Sequence, residues 1–150
     1  MEDAPENWAT LSTTRSETAV SGKSRASGDP PVVFFVDDDD SVRSVYGGIM
    51  RRNGIRVIEA ASAEEAGRLV EVFTDPIDIL LMDINLPDGF GVTLAQRLAE
   101  VHPEMVVVYT TGFADSDPIL SGALADEPYV LRKPFKSQQM MEMISAAMSE

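Results

Sequence analysis

The sequence predicts an α/β fold in which helices cover both faces of a doubly wound, five-stranded parallel sheet. From Val32 onward, short apolar runs alternate with stretches of helical periodicity, as strands and helices do in folds of this class. The runs are continuously apolar, which is typical of strands buried on both faces. With 150 residues and 44% hydrophobic content, the chain can build one domain with a substantial core.

Five runs are predicted to form the strands of this sheet. They are Val32–Val36 and residues 56–59, 79–82, 105–110 and 129–131. Five strand–helix units favour the flavodoxin-like strand order 2-1-3-4-5, in which strands 1 and 3 are neighbours at the topological switch point. Ligands bind at that point, at the carboxyl ends of the strands, so the residues that follow strands 1 and 3 are candidates for a ligand site.

The first two predicted helices have clear boundaries. The first presents an apolar face and ends near Asn53-Gly54, a pair that suits a left-handed cap. Its apolar face consists of Val42, Val45, Tyr46, Ile49 and Met50. Ser62 and Glu65 have the spacing of a capping box at the start of the second helix. The apolar positions of that helix are Ala66, Val70 and Phe73.

The remaining three helices differ in the strength of their pattern. Residues 92–101 form the third, which ends at His102-Pro103. The fourth is weak, because Gly122 interrupts a short stretch that has Asp117 as its expected cap and Pro118 as its first residue. Residues 138–148 form the last. Its methionines are expected to fill the core, and they are Met140, Met141, Met143 and Met148.

The first 31 residues differ in composition from the rest of the chain. They are rich in Ser, Thr, Ala and Glu, contain few aliphatic residues and end in Gly28-Asp29-Pro30-Pro31, so they cannot supply a periodic buried face. We expect a flexible N-terminal tail over residues 1–31 and a folded domain over residues 32–150. The single tryptophan, Trp8, lies in the tail. A docking segment is one interpretation of this residue, and the absence of a role is the preferred one.

Charge and composition exclude several classes of function. The formal net charge is −13, and the chain lacks the Lys and Arg clusters that contact phosphates, so we expect no direct nucleic-acid partner. Without cysteine, neither a disulfide framework nor a thiolate zinc site can form. No apolar run approaches the roughly 18 residues of a membrane span, and the N-terminus lacks the apolar stretch of a signal peptide. We therefore expect a cytoplasmic location and no membrane partner.

Reactive side chains follow four of the predicted strands at one edge of the sheet. They are the four consecutive aspartates at 37–40, then Asp83, Thr110-Thr111 and Lys133. Like carboxylates brought together raise one another's pKa unless a cation offsets the repulsion. The aspartate run is therefore predicted to be one half of a metal site, and Asp83 the other half.

The motifs also resemble those of a known family. They are Val36-Asp37-Asp38-Asp39, Met82-Asp83-Ile84-Asn85-Leu86-Pro87 with Gly91 further on, Thr111-Gly112, and Lys133-Pro134-Phe135. In this order and spacing they resemble the receiver domain of two-component response regulators, the CheY-like superfamily. The resemblance covers about residues 32–149.

The resemblance implies a Mg²⁺-dependent phosphoryl-accepting domain. Asp83 would be the phosphorylation site, taking its phosphoryl group from the phosphohistidine of a sensor histidine kinase or a histidine phosphotransfer protein. Asp38 and Asp83 would ligate Mg²⁺ directly, Asp37 mainly through water and Asn85 through its backbone carbonyl. Mg²⁺ keeps several waters and so needs few protein ligands, and we expect Mn²⁺ to substitute for it.

Two further residues would act on the phosphoryl group. Lys133 would supply a second cation, and the hydroxyl of Thr111 would donate a hydrogen bond to a phosphoryl oxygen. Alternation along the strand sends Thr110 and Thr111 to opposite faces, so only one of them is expected to serve. Thr111 precedes Gly112 as in the family pattern and is preferred. The bond before Pro134 is expected to be cis.

Signalling is expected to work through a shift of populations. Contacts of Thr111 and Lys133 with the phosphoryl group would favour one arrangement of the loops after strands 3 and 4. In the family, an aromatic residue three positions before the lysine commonly moves inward with the threonine. This chain has Val130 there and Tyr129 one position earlier, so the operation of an aromatic switch stays open.

Rival functions account less well for the same residues. A phosphatase with an aspartate nucleophile would need an acid where the chain has Asn85. A flavin or nucleotide binder would need a Gly- or Thr-rich phosphate cradle where the chain has four aspartates. A phosphorylation-independent interaction module and a receiver excised from a hybrid histidine kinase stay open.

We expect a phosphoacceptor signalling domain and not an enzyme. Because no output module follows the last helix, we expect either a stand-alone receiver or one excised from a larger protein. The expected downstream target is a protein. The oligomeric state is not predicted.

Overall fold

The computed structural model of the protein describes residues 29–112, 122 and 124–149, with the backbone but not the side chain of Phe90. Most of the predicted tail, including Trp8, lies outside the described residues, as do Asp117 and Pro118 at the start of the weak fourth helix. Gly122 and Leu124 are helical. Within the described ranges, no helix combines the length and apolar character needed to cross a membrane.

The centre of the structure is a parallel sheet of five strands. The strands of the chain are β1 (Val32–Val36), β2 (Arg56–Ala60), β3 (Ile79–Asp83), β4 (Asn85–Leu86), β5 (Gly89–Phe90), β6 (Val106–Thr111) and β7 (Val130–Arg132). The sheet has the order β2-β1-β3-β6-β7, and each of its strands agrees with a predicted one to within a residue at either end. The predicted fold class is confirmed.

β4 and β5 form a separate antiparallel hairpin directly after β3, which was not predicted. Leu86 pairs with Gly89, so Pro87 and Asp88 form the turn between the strands. Strands of two residues are too short for alternation to show, because that pattern needs about four residues or more. With the hairpin counted apart, the strand order in the sheet is the predicted 2-1-3-4-5.

Among the described residues, four helices pack on the two faces of the sheet. They are α1 (Asp40–Arg52), α2 (Ala63–Val72), α3 (Gly91–Val101) and α4 (Ser137–Met148). α1 and α4 share one core with Val33, Phe35, Leu81, Val108 and Leu131. α2 and α3 share the other with Phe34, Val36, Leu80, Met82 and Tyr109. Alternate residues of each strand therefore enter opposite cores, which explains why the strands are continuously apolar.

α1 ends as predicted, with Gly54 in the left-handed conformation. Its φ is +85°, which glycine adopts without a Cβ penalty. The N–H of Gly54 donates to the carbonyl of Arg51 at 3.0 Å, and the N–H of Ile55 donates to that of Met50 at 3.1 Å. These two bonds are those of a Schellman motif, and they satisfy carbonyls that the helix itself leaves unpaired.

The start of α2 differs from the predicted capping box. The side chain of Ser62 accepts a hydrogen bond from the N–H of Glu65 at 3.1 Å, as predicted. The carboxylate of Glu65, however, accepts from the N–H of Ala61 at 2.7 Å, so only half of the box is formed. The carboxylate of Asp88, in the hairpin turn, accepts from the first two N–H groups of α2 at 2.9 and 3.1 Å. The hairpin is thereby attached to the helix.

Two residues that we predicted to lie in the core are exposed. Val45 is 55% exposed and Met148 is 38% exposed. At about 3.6 residues per turn, Val45 falls beyond the edge of the stripe that Tyr46 and Met50 define. Met148 is the last residue of α4, beyond the turn that packs on the sheet. The other predicted apolar positions of α1 and α4 pack against the core.

Candidate functional site

On the face of the sheet that α1 and α4 cover, four polar residues follow buried apolar residues at the ends of the strands. They are Asp37, Asp83, Thr110 and Lys133, and two positions before them stand Phe35, Leu81, Val108 and Leu131. The N–H of Asp37 donates to Ala60 at 3.1 Å and that of Lys133 to Thr111 at 2.7 Å, so both residues extend the course of their strands. Alternation then points the four polar side chains to one face, at the carboxyl edge of the sheet.

Three of the predicted carboxylates meet at this edge. One carboxylate oxygen from each of Asp37, Asp38 and Asp83 lies within 4.8 Å of the others. Asp37 and Asp83 are buried, whereas Asp38 is exposed and borders on solvent. A set of oxygen donors that is open to water on one side fits a hard cation such as Mg²⁺, which retains part of its hydration shell. The predicted metal-ligating carboxylates are therefore close enough to share one ion.

Lys133 supplies the positive charge of this cluster. Its Nζ atom donates a hydrogen bond to Oδ2 of Asp83 at 3.1 Å and lies 2.9 Å from Oδ2 of Asp37. Burial alone would lower the pKa of Lys133, but its contacts with the two carboxylates outweigh burial and raise that pKa above its usual value. The peptide bond between Lys133 and Pro134 is cis, as predicted.

Burial has the largest effect on the pKa of Asp83. It raises the pKa of Asp83 above its usual value, although the N–H of Asn85 and the charge of Lys133 act in the opposite direction. The charge of Asp37 adds to the rise. A carboxylate in this environment is poorly solvated, so a bound cation would stabilise its ionised form.

The loop after β3 is built around Asp83. The N–H of Asn85 donates to Oδ1 of Asp83 at 3.0 Å, while the side chain of Asn85 is exposed. At the end of the hairpin, Gly91 lies so close to β3 that an added Cβ would fall within 2.4 Å of the Asp83 carbonyl oxygen. Position 91 therefore needs glycine for packing, with its φ in the ordinary negative range.

The four consecutive aspartates have different environments. Asp37 is fully buried at the site, and its Oδ1 accepts a hydrogen bond from the N–H of Asp39 at 2.9 Å. Asp39 is the N-cap of α1, where its side chain accepts from the N–H groups of Ser41 and Val42 at 2.8 and 3.1 Å. Asp40 is exposed and bonds to Arg43. Only Asp37 and Asp38 face the candidate metal site.

Arg43 supports the site and was missed in the sequence. Its Nη1 donates to the backbone carbonyl of Asp37 at 2.6 Å, and its guanidinium also pairs with Asp40 and, at 3.4 Å, with Glu59. Arg51 joins Glu59 at 2.9 Å. The spacing of Asp40 and Arg43, three residues apart in a helix, indicates only the pair that these two side chains form.

The two threonines at the end of β6 lie on opposite faces, as predicted. Both are 1% exposed. Thr111 follows Tyr109 on the face that α2 and α3 cover. Thr110 is instead the register neighbour of Asp83 in the adjacent strand. Thr111 is therefore the last residue of β6 on the face opposite the carboxylates, whereas Thr110 lies on the same face as the carboxylates.

The two residues that we proposed for a switch lie on the edge strand and just before it. Val130 and Tyr129 are both half-buried. Val130 is the register neighbour of Tyr109, and both pack in the core under α2 and α3. Burial and the charge of Glu127 raise the pKa of Tyr109 to about 12. Tyr109 therefore supplies an aromatic ring on the same face of β6 as Thr111. The sequence could have indicated this, because residues two apart in a strand point to the same face.

Comparison with known proteins agrees with this architecture. Residues 33–145 match the model of the response regulator receiver domain family. The chain is 33% identical over 111 residues to the sensor kinase CckA of Brucella abortus, covering 72% of this chain and 11% of that protein. It is 29% identical over 114 residues to the transcriptional regulatory protein CpxR of Escherichia coli, covering 76% and 47%. The chain thus spans less than half the length of either relative.

A solved structure has the same fold. It is the CheY-like receiver domain protein of Methanospirillum hungatei, with a TM-score of 0.71 and 24% identity, covering 80% of this chain and 94% of that one. All the motifs quoted above, from Val36 to Phe135, fall inside the range that the family model matches. The chain therefore belongs to the response regulator receiver domain family.

Proposed function

We propose that Asp83 accepts a phosphoryl group from the phosphohistidine of a sensor histidine kinase or a histidine phosphotransfer protein. The observation that carries this proposal is the cluster of Asp37, Asp38 and Asp83, in which Asp37 and Asp83 contact the Lys133 ammonium group. In the reaction, a carboxylate oxygen of Asp83 forms a bond to phosphorus while the phosphorus–nitrogen bond breaks. The electron pair of that bond returns to the imidazole, which takes up a proton.

The metal in this proposal is Mg²⁺, with Mn²⁺ as a substitute. Asp38 and Asp83 would hold it directly, Asp37 mainly through water and Asn85 through its backbone carbonyl. When bound, the ion would neutralise part of the charge on the carboxylates and on the transferring phosphoryl oxygens. The burial of Asp37 and Asp83 supports this role, because buried carboxylates are poorly compensated by solvent.

Lys133 and Thr111 act on the phosphoryl group in the same proposal. The Lys133 ammonium group already lies 3.1 Å from Oδ2 of Asp83, so it would be close to a phosphoryl group carried on that side chain. The Thr111 hydroxyl would donate to another phosphoryl oxygen from the rim of the sheet. Catalysis of this kind is chiefly positioning and charge neutralisation.

The phosphorylated state would signal by a shift of populations. Contacts from Thr111 and Lys133 favour one arrangement of the loops after β3 and β6, and a downstream protein recognises that arrangement. With Val130 at the position common for an aromatic switch, any ring movement would involve Tyr129 or Tyr109. In this view the chain is a cytoplasmic signalling module that promotes its own phosphorylation and dephosphorylation.

A second candidate concerns the larger protein in which this domain functions. The match to a segment of CckA, which is named a sensor kinase, favours a receiver of a hybrid histidine kinase. The chemistry at Asp83 is the same in both cases, but the donor differs. A donor panel that includes separate kinases and histidine phosphotransfer proteins distinguishes them, because a hybrid-kinase receiver should exchange phosphate with a phosphotransfer protein fastest.

The test of the acceptor is phosphorylation in solution. The protein is incubated with Mg²⁺ and acetyl phosphate or a phosphorylated kinase, and its intact mass is measured beside that of Asp83→Asn. We expect one phosphoryl group, stable in acid and labile in base, on the wild type and none on the variant. Label on the variant would refute the site. An unlabelled wild type would favour the phosphorylation-independent interaction module.

A further inference from the structure

The hydroxyl group of Thr110 is buried without a hydrogen-bond partner. Thr110 is 1% exposed, and its Oγ1 atom meets no donor or acceptor among residues 29–112, 122 and 124–149. Transfer of a hydroxyl from water to such a place is unfavourable unless a hydrogen bond compensates for it. A valine would fill the same space without that loss, so the threonine needs a reason other than packing.

The surroundings of Thr110 indicate what that reason is. Thr110 is the register neighbour of Asp83 on one side and of Leu131 on the other. Neighbouring strands lie about 4.8 Å apart, and both Asp83 and Thr110 point to the same face. Lys133 lies two residues after Leu131, and its ammonium group reaches Asp83 from β7, two strands away. The Thr110 side chain therefore lies one strand away from the Asp83 carboxylate and on the same face of the sheet.

We propose that Thr110 is a positioning residue whose hydroxyl donates a hydrogen bond to the Asp83 side chain when the site holds Mg²⁺ and a phosphoryl group. This rests on the proposed function. In the present state, Oδ1 of Asp83 accepts from the N–H of Asn85 and Oδ2 accepts from Lys133. When the ammonium group turns to the phosphoryl group, the Asp83 side chain loses a donor. The adjacent hydroxyl, unpaired until then, replaces it.

The energetic consequence is a bias toward the occupied state. A polar group that is unpaired in one state and paired in the other destabilises the first relative to the second. Thr111 cannot take this role, because its side chain lies on the opposite face of β6. The two threonines then act on different partners, Thr111 on the phosphoryl group and Thr110 on the carboxyl group that carries it.

The experiment compares Thr110→Val, which keeps the shape and removes the hydroxyl, with Thr110→Ser, which keeps the hydroxyl. Thr74→Val, at an exposed position before β3, is the control. The Tm is measured without ligand, and the affinity for beryllofluoride is measured by titration in saturating Mg²⁺. We expect Thr110→Val to have a higher Tm than the wild type and to bind beryllofluoride about fivefold more weakly. Thr110→Ser should bind as the wild type does, and Thr74→Val should change neither quantity.

The decisive result is a higher Tm together with a weaker beryllofluoride affinity in Thr110→Val. If the hydroxyl had only a structural role, its loss would lower both the Tm and the affinity. A lower Tm for Thr110→Val would show that the hydroxyl is already paired in the free protein and would overturn the proposal. Unchanged beryllofluoride affinity would overturn it as well. If the wild type itself fails to bind beryllofluoride, the proposed function fails first, and the role of Thr110 fails with it.

Discussion

Gly91 lies directly against the backbone of Asp83. A Cβ atom at Gly91 would fall 2.4 Å from the carbonyl oxygen of Asp83 and 2.7 Å from the Cα atom of Ile84. The N–H of Gly91 donates to the carbonyl of Ile84 at 2.8 Å, which fixes this approach. Because the opposing atoms belong to the backbone, they cannot move aside as a flexible side chain would. The missing side chain allows α3 to begin against β3, the strand that carries Asp83.

Gly91→Ala is therefore expected to lower the free energy of unfolding by about 1–3 kcal/mol, as overpacking of a core does. Urea denaturation measures the change. Gly67→Ala is the matched control, because Gly67 lies inside α2 with nothing within 4 Å of an added Cβ. Gly67→Ala should raise the free energy of unfolding by up to about 1 kcal/mol, because alanine has a higher helix propensity than glycine. A Gly91→Ala variant as stable as the wild type would contradict the close approach.

Removal of the Lys133 ammonium group should have opposite effects on stability and on metal binding. In Lys133→Met, two buried carboxylates lose their cation, and we expect a loss of about 1–2 kcal/mol, moderated because the lysine is 28% exposed. The affinity for Mg²⁺ should rise about tenfold, because a competing positive charge is gone. Denaturation in EDTA and calorimetric titration measure the two effects. Lys136→Met, at an exposed position, should change neither stability nor Mg²⁺ affinity. Equal behaviour of the two variants would contradict the contact of Lys133 with the two carboxylates.

The pKa shifts of two aspartates predict opposite dependences of stability on pH. Burial raises the pKa of Asp83, so its contribution to stability is most favourable at low pH and is lost as pH rises through its folded pKa. Asp83→Asn should therefore stabilise the metal-free protein at neutral pH, and the gain should vanish in acid. Denaturant titrations in EDTA, from neutral pH to acid, test the sign of the change in the free energy of unfolding.

Asp88 provides the comparison of opposite sign. The N–H groups of Ala63 and Glu64 lower the pKa of Asp88, so its contribution is present at neutral pH and is lost as pH falls through its folded pKa. Asp88→Asn should destabilise the protein at neutral pH and have no effect in acid. If both variants shifted stability in the same direction, the assigned causes would be wrong.

A substitution at Asp38 should affect metal binding but not folding. Its side chain is exposed, so Asp38→Asn should change the free energy of unfolding without metal by no more than about 0.5 kcal/mol. Loss of one charged ligand should weaken Mg²⁺ binding about tenfold or more. Calorimetric titration measures the affinity, with the exposed Glu100→Gln as a control for charge alone. Equal affinities for both variants would place the ion elsewhere.

Strands and helices could be predicted from the sequence because their signals are local. Continuous apolar runs located the five sheet strands to within one residue, and Asn53-Gly54 predicted the end of α1. The hairpin was missed because strands of two residues carry no periodicity. Val45 was placed in the core because an apolar residue at the edge of a helical stripe looks the same in sequence as one at its centre.

The convergence of Asp37, Asp38 and Asp83 could also be predicted, because parallel strands end at a common edge. The contact of Arg43 with the Asp37 carbonyl could not, since a backbone acceptor leaves no mark in the sequence. The partnerless state of the Thr110 hydroxyl depends on what surrounds it in three dimensions, which no local pattern encodes.

The attachment of Asp88 to α2 has a mechanical consequence. The hairpin that carries Asp88 begins two residues after Asp83, and its turn accepts two hydrogen bonds from the first turn of α2. A rearrangement of the hairpin must either break these two hydrogen bonds or move α2 with it. α2 contacts β2, at the edge of the sheet opposite β7. If the phosphorylation proposed at Asp83 moves the hairpin, the movement would therefore be transmitted to a surface remote from β7.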